Sequence, residues 1–340
     1  MNKETIKNQA RKVIYGNRWL EMLRREYNML VIREKYPPPV ALNRKPVVVS
    51  LQNSVFTLGG LCDRLRGMCG IYTICRDLGL EYKIGHFRPF DLSDFLQPNM
   101  VDWAIKEEEI EWDKRLVALV YADPLPAKLT GKKTTEENNA YNRARVSRMI
   151  EQAHSKRQVH VYANLYCIDY KTFSRIFHEL FKPSEELKQQ VEWNKQQTGE
   201  QYISITTRFQ NLLGDFYEGD SVGTLETEQE KKAYIKRCIE RVEDIHLQYP
   251  DMKVLVTSDS SRFLSEISRL SYVHVNPGKV VHMQFTTDCS HEVYLKSFVD
   301  LFTIAGAVKV YQLTTGRMYV SGFPVTAASI DSRPYELIRF

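Results

Sequence analysis

The sequence predicts an α/β protein with a parallel, doubly wound sheet in each half and a ligand cleft between the halves. Three observations predict it. Short apolar, β-branched runs alternate with stretches of helical period along much of the chain, the rhythm of strands joined by crossover helices. The first such run ends on Gly59-Gly60 and passes at once into a helical stretch, the order that opens a right-handed parallel unit. At 340 residues the chain also has room for two domains of ordinary size.

Taken in order, RWLEMLRREYNMLVIREK (18–35) sets Trp19, Leu20, Leu23, Tyr27, Leu30 and Val31 on one helical stripe among basic residues. The stripe is expected to pack on its own domain; the alternative is a membrane surface. KYPPPVALNRK (35–45) is a Pro-rich connector. VVVSLQNSVF reads as a buried strand, LRGMCGIYTICRDLG (65–79) as a helix that Gly79 caps, and EYKIGHF as a second strand. A polar tract follows. It reads as loops and short exposed helices around one strand, RLVALVYAD (115–123), with KKTTEENN as a mobile core. VHVYANL (159–165) is a strand, a helix runs on to near Pro183, and SEELKQQVEWNKQQTGE (184–200) is a charged helix bridging the domains. The second half repeats the rhythm. YISITTRF, MKVLVTSD and VKVYQLT are strands; residues 226–248, SSRFLSEISRL, VYLKSFVDLFTIAG and SGFPVTAASI are helices. The expected domains are 1–195, with the amphipathic helix and the polar insert, and 196–340.

The net charge of +5, from 47 basic and 42 acidic residues, suits a small anionic ligand or a weak attraction to anionic lipid. It falls short of a nucleic-acid footprint. Cysteines 62, 69, 75, 167, 238 and 289 form no C-x-x-C pair and no zinc spacing, so reduced thiols in a soluble, cytoplasmic protein are expected. No HExxH, P-loop or GxSxG stands in the chain, and nothing in it requires a metal.

In such a sheet the loops after strands hold anionic ligands, because helix N-termini offer free N–H groups and a positive dipole end. Four junctions qualify. At FTLGGLCDRLRGM (56–68), Gly59 and Gly60 allow close backbone approach, and Asp63 is either a helix cap or a general base, with Arg64 beside it to offset phosphate charge. At ITTRFQNLLGDFYEGD (205–220), Arg208 closes a strand and can clamp a diphosphate, the alternative being a surface ion pair. Asp215, Glu218 and Asp220 follow it in a polar loop. At VTSDSSRF, Ser258, Asp259 and Ser260 are N-caps or partners of a nucleobase edge. At SFVDLF and TTGRMYVSGF, Asp300 bonds a neighbouring loop, while Ser321 and Gly322 form a phosphate cradle or a plain turn. A further cluster, His86, Arg88, Asp91 and Asp94, suggests an acceptor surface within 86–150.

These stretches, in serial order, resemble the superfamily of nodulation, α1,6- and protein O-fucosyltransferases. GGLCDRLRGMCGIYTICRDLGLEYKI is similar to its N-terminal glycine loop and helix. The strand ending in Arg208, VTSDSSRF, and SFVDLFTIAGAVKVY with SGFPVTAA are similar to its three C-terminal motifs. The likeness spans roughly 46–95 and 202–330. It implies a GT-B pair of Rossmann-type domains, GDP-fucose as donor in the C-terminal domain, and inverting transfer without a metal. It places Arg208 on the β-phosphate, Asp259 near guanine, and Ser321, Gly322 and Phe323 along the phosphates; Asp63 falls close to the donor sugar. The family's HxRRxD pattern here reads Thr206-Thr207-Arg208-Phe209-Gln210-Asn211, so the base passes to Asp63 or Asp215. The expected activity is fucosyl transfer to a glycan, a surface polysaccharide or lipid-linked precursor, in the cytoplasm or at the inner face of the membrane. A different nucleotide sugar, or a nucleotide- or glycan-binding protein without catalysis, are the alternatives.

Overall fold

In the computed structural model, which describes residues 17–37, 46–53, 59–163, 170–216, 223–281 and 289–340, the chain divides into two units, 1–182 and 183–340. The first contains α1 (Arg18–Glu34), β1 (Val47–Gln52), α2 (Leu61–Leu78), β2 (Tyr82–His86), β3 (Val117–Ala122), α3 (Thr135–Ala153), β4 (Gln158–Ala163) and α4 (Tyr170–Leu180). Among the described residues, the four strands of its main sheet are all parallel, in the order β2-β1-β4-β3. Alternation in β1 sends Val49 and Leu51 into a core with Tyr121, Tyr162, Ile32 and Tyr36. On the opposite face the Tyr82 hydroxyl donates to the Met68 carbonyl of α2 at 3.0 Å. Gly67 allows α2 to lie against the end of β4, since a Cβ there would sit 2.8 Å from the Ala163 carbonyl oxygen.

The second unit contains α5 (Glu185–Thr198), β5 (Tyr202–Thr207), α6 (Glu228–His246), β6 (Lys253–Ser258), α7 (Ser261–Ile267), β7 (Val273–His274), α8 (His291–Gly306), β8 (Lys309–Thr314), α9 (Phe323–Ile330) and β9 (Tyr335–Arg339). Its parallel sheet runs β9-β8-β5-β6-β7, the doubly wound order in which the first strand lies at the centre. One face packs Ile203, Ile205, Val254 and Val256 on Ile235, Val242 and Phe263 of α6 and α7. On the other face the Tyr202 hydroxyl donates to the Thr303 carbonyl of α8 at 2.6 Å.

Several expectations change. The stripe of α1 does not pack on its own domain: Trp19 is 73% and Tyr27 65% exposed, with Leu23 and Leu30 above half. Glu21, Arg25 and Ile32 face inward instead, because Arg24 and Arg25 bond both Glu21 and Asp123. The stretch expected as short helices contains the 19-residue α3. Thr134 and Glu137 close a reciprocal capping box at its start. The helix read as a bridge is α5, which packs on α8 within the second unit, so the division falls at 182/183 instead of 195/196. The edge strand β9 was not expected. Cys62, Cys69, Cys75 and Cys238 are free and buried, and Cys289 is free. Cys167, Glu218, Asp220 and residues 38–45 of the Pro-rich connector lie outside the described residues.

Candidate functional site

The chain crosses from β5 to β6 and β7 on one side and then returns to enter β8 on the other, so the sheet of the second unit has its switch point at the carboxyl ends of β5 and β8. Ligands of open parallel sheets sit in the crevice at that point. The chain leaving β5 makes a tight turn through Arg208, Phe209 and Gln210. Gln210 has φ 54°, a left-handed conformation uncommon for a side chain of this type.

Asp259, at the end of β6, holds that turn. One carboxylate oxygen accepts from the Phe209 N–H at 2.8 Å and the other from the Gln210 N–H at 2.7 Å. The Arg208 Nε lies 3.7 Å from the second oxygen. Burial pushes the Asp259 carboxyl up to about 6, against the pull of Arg208 and the two N–H groups. The Arg208 carbonyl accepts from the Tyr319 N–H at 3.1 Å, and its guanidinium lies 5.7 Å from the centre of the Phe216 ring. The arginine is therefore positioned through its backbone on both sides.

The neighbouring hydroxyls are engaged in shaping the same edge. Thr207 donates to Ser258 Oγ at 2.9 Å, and Ser260 Oγ caps α7 by accepting from Phe263 N–H at 3.1 Å. Asp215 lies across the first turn of α7, where one oxygen accepts from Ser260 Oγ, Ser261 Oγ and Arg262 N–H at 2.9, 3.0 and 2.8 Å. Ser321 Oγ accepts from Phe323 N–H at 3.1 Å, at the start of α9 beside Gly322. As expected, Asp300 bonds a neighbouring loop: it takes Asn276 Nδ2 at 2.8 Å and pairs with the buried Lys296.

Two hollows open on this edge. A small one of ≈ 80 Å³ touches Thr207, Arg208, Asp259, Asp300, Ser321 and Phe323. A larger one of ≈ 430 Å³ touches Asp215, Phe216, Ser261, Gly278 and Lys279, and Ser258 and Asp259 line both. The larger volume falls in the usual range for a small-molecule site, about 300–1,000 Å³.

In the first unit, Gly59 has φ 61° and leaves no room for a side chain, since a Cβ would meet Asp63 at 2.8 Å. Gly60 is the N-cap of α2. Asp63, in the first turn, is 38% exposed and pairs with Arg66. Arg64 turns the other way, into its own unit. Its guanidinium donates to the Gly59 carbonyl and to His86 Nε2, each at 3.2 Å. Burial and that charge hold His86 down at about 3, so the ring is neutral and its Nδ1–H donates to the Phe90 carbonyl at 3.1 Å. Beyond it, His86, Arg88 and Asp91 line a hollow of ≈ 440 Å³ with Glu107 and Glu108.

No family profile and no curated protein matches the chain. Solved structures do. A NodZ α-1,6-fucosyltransferase soaked with GDP-fucose superimposes with TM-score 0.54 at 13% identity, over 87% of this chain and 95% of that one. The fucosyltransferase NodZ from Bradyrhizobium gives 0.53 at 12%, over 88% and 96%. An Arabidopsis thaliana FUT1 mutant in complex with GDP gives 0.50 at 9%, over 92% and 75%. The chain has the fucosyltransferase fold.

Within that GT-B fucosyltransferase fold, the second unit brings Arg208, Asp215, Ser258, Asp259, Ser260, Ser321, Gly322 and Phe323 to one edge of its sheet. Gly59, Gly60 and Asp63 share one loop of the first unit. Phe216 and Lys279 join the larger hollow without having been expected. Phe216 stands in a turn-rich stretch with no periodicity, and Lys279 follows a glycine far along the chain; neither carries a sequence signal for the site.

Proposed function

We propose that the chain is an inverting glycosyltransferase that moves fucose from GDP-fucose to the hydroxyl of a glycan. One observation carries the reading: a buried acid fixes the turn that presents Arg208 at the switch point of a fold whose solved representatives include complexes with GDP and GDP-fucose. A guanidinium there can take a diphosphate through two parallel hydrogen bonds. The charge it meets grows as the sugar–phosphate bond breaks, so its stabilisation is worth most in the transition state. Ser321, Gly322 and Phe323, at the start of α9, line the phosphates. Asp259 acts through the turn, because its carboxylate oxygens already hold two backbone N–H groups.

The displacement forms the bond from acceptor oxygen to the anomeric carbon while the bond to the diphosphate breaks, with inversion. The acceptor proton passes to a carboxylate, and GDP departs. Of the two acids expected as the base, Asp63 and Asp215, Asp63 is assigned that role. Asp259 and Asp215 are tied to backbone N–H groups, whereas Asp63 pairs with a side chain and is 38% exposed. Acceptors made at the inner face of the membrane, a surface polysaccharide or a lipid-linked precursor, fit this chemistry.

Calorimetry with GDP, GDP-fucose and UDP-sugars tests the donor, and donor hydrolysis by wild type and Arg208→Ala tests catalysis. GDP-fucose binding, with turnover about a hundredfold lower or more in Arg208→Ala, is expected. Preference for a UDP-sugar would move the assignment to another donor. Tight GDP binding without turnover in any assay would leave a binding protein.

A further inference from the structure

Helix α1 is turned the opposite way from an ordinary surface helix. Its charged side chains Glu21, Arg24 and Arg25 knit it to Asp123, while Trp19, Leu20, Met22, Leu23, Tyr27 and Leu30 stand 36–73% exposed on its outer side. Contiguous exposed apolar surface of this kind marks an interaction site. The stretch of sequence that carries the helix has a definite charge. Residues 1–35 hold nine basic and four acidic side chains, which is the whole of the chain's net +5; the remaining sequence is balanced.

We propose that α1 docks this face into the surface of an anionic lipid bilayer. Apolar side chains flanked by cations lie in the headgroup boundary of such a membrane, and Trp and Tyr favour that depth. Arg18, Arg33 and Lys35, all exposed, stand at the ends of the helix and outnumber the exposed Glu26 and Glu34. A second copy of the chain fits the face less well. Leu20, Leu23, Tyr27 and Leu30 make a seam of only two heptads on a 17-residue helix. That is short for a stable helix pair, whose interface needs about 1,200 Å² or more in total. The inference is independent of the donor assigned above.

The test is co-sedimentation of the full-length protein with vesicles of phosphatidylcholine, with and without one-third phosphatidylglycerol, alongside sedimentation of the protein alone. Wild type should pellet with the anionic vesicles, more weakly at high salt. Leu23→Asp/Leu30→Asp should lower partitioning by about a hundredfold, tenfold for each leucine withdrawn. Both leucines are solvent-exposed, and an unchanged melting midpoint shows that the variant folds; should it not, Trp19→Ser/Tyr27→Ser serves in its place. Wild type remaining in the supernatant at low salt, or pelleting equally with neutral vesicles, overturns the proposal. So does a vesicle-independent dimer that the substitutions dissolve, which assigns the face to a second copy.

Discussion

Replacing Asp259 by Asn separates the positioning of Arg208 from its chemistry. The carboxylate meets two buried N–H groups, one on each oxygen, at 2.8 and 2.7 Å. An amide keeps one acceptor and turns an NH₂ toward the second donor. One orphaned buried donor costs about 1–3 kcal/mol, and Asp259→Ala, which orphans both, about 2–6 kcal/mol. The change also has a pH signature. Burial raises the Asp259 carboxyl from 3.8 to about 6 in the folded chain, so the folded state holds this proton more tightly than the unfolded one. Stability from this group is complete below about pH 4 and is lost as pH rises through 6. The difference amounts to roughly 3 kcal/mol at 1.36 kcal/mol per unit. Urea titrations of wild type and Asp259→Asn at pH 4 to 7 therefore diverge, since titrations common to both cancel. GDP affinity should fall in the variant although the proposed role of Asp259 involves no contact with phosphate. Parallel pH curves, together with unchanged GDP affinity, would refute the reasoning.

Asp63→Asn should lower transfer by about 10²–10⁴-fold while GDP binding stays within a factor of two or three, as loss of a general base requires; equal loss of both would make Asp63 a structural residue. The buried rings of His86 and His160 are both depressed to about 3. Because the unfolded chain takes up these protons first, the first unit should lose roughly 2 kcal/mol per histidine between pH 6.5 and 5. A flat urea midpoint for that unit over this range would contradict it. Thr134→Ala removes one half of the capping box on α3 and should cost about 1 kcal/mol, read from the same titrations; no change would mean that the helix start is held by other contacts.

The sequence by itself determined the central strands and most of the helices. β1, β5, β6 and β8 are short β-branched runs buried on both faces, and that composition leaves little alternative to a parallel sheet covered by helices. The junction residues were legible for the same reason, since strand ends are where polar groups gather in such a fold. α3 was not read as one long helix: Thr134-x-x-Glu137 marks its start, but its weak apolar periodicity hid it.

Tertiary structure decided the rest. Arg208 with Asp215, Asp259, and Ser321 come from three separate stretches of the chain, and only the strand order β9-β8-β5-β6-β7 brings their loops to one edge. Sequence could offer Asp259 as a cap or a ligand partner; the two N–H groups it meets come from a turn some fifty positions away, and they make it the support of Arg208. Arg64 and α1 make the same point. An arginine beside a glycine loop and an apolar stripe on a helix each have an obvious direction in one dimension. His86 draws the first inward and Asp123 turns the second outward, because buried and half-buried charges follow their partners.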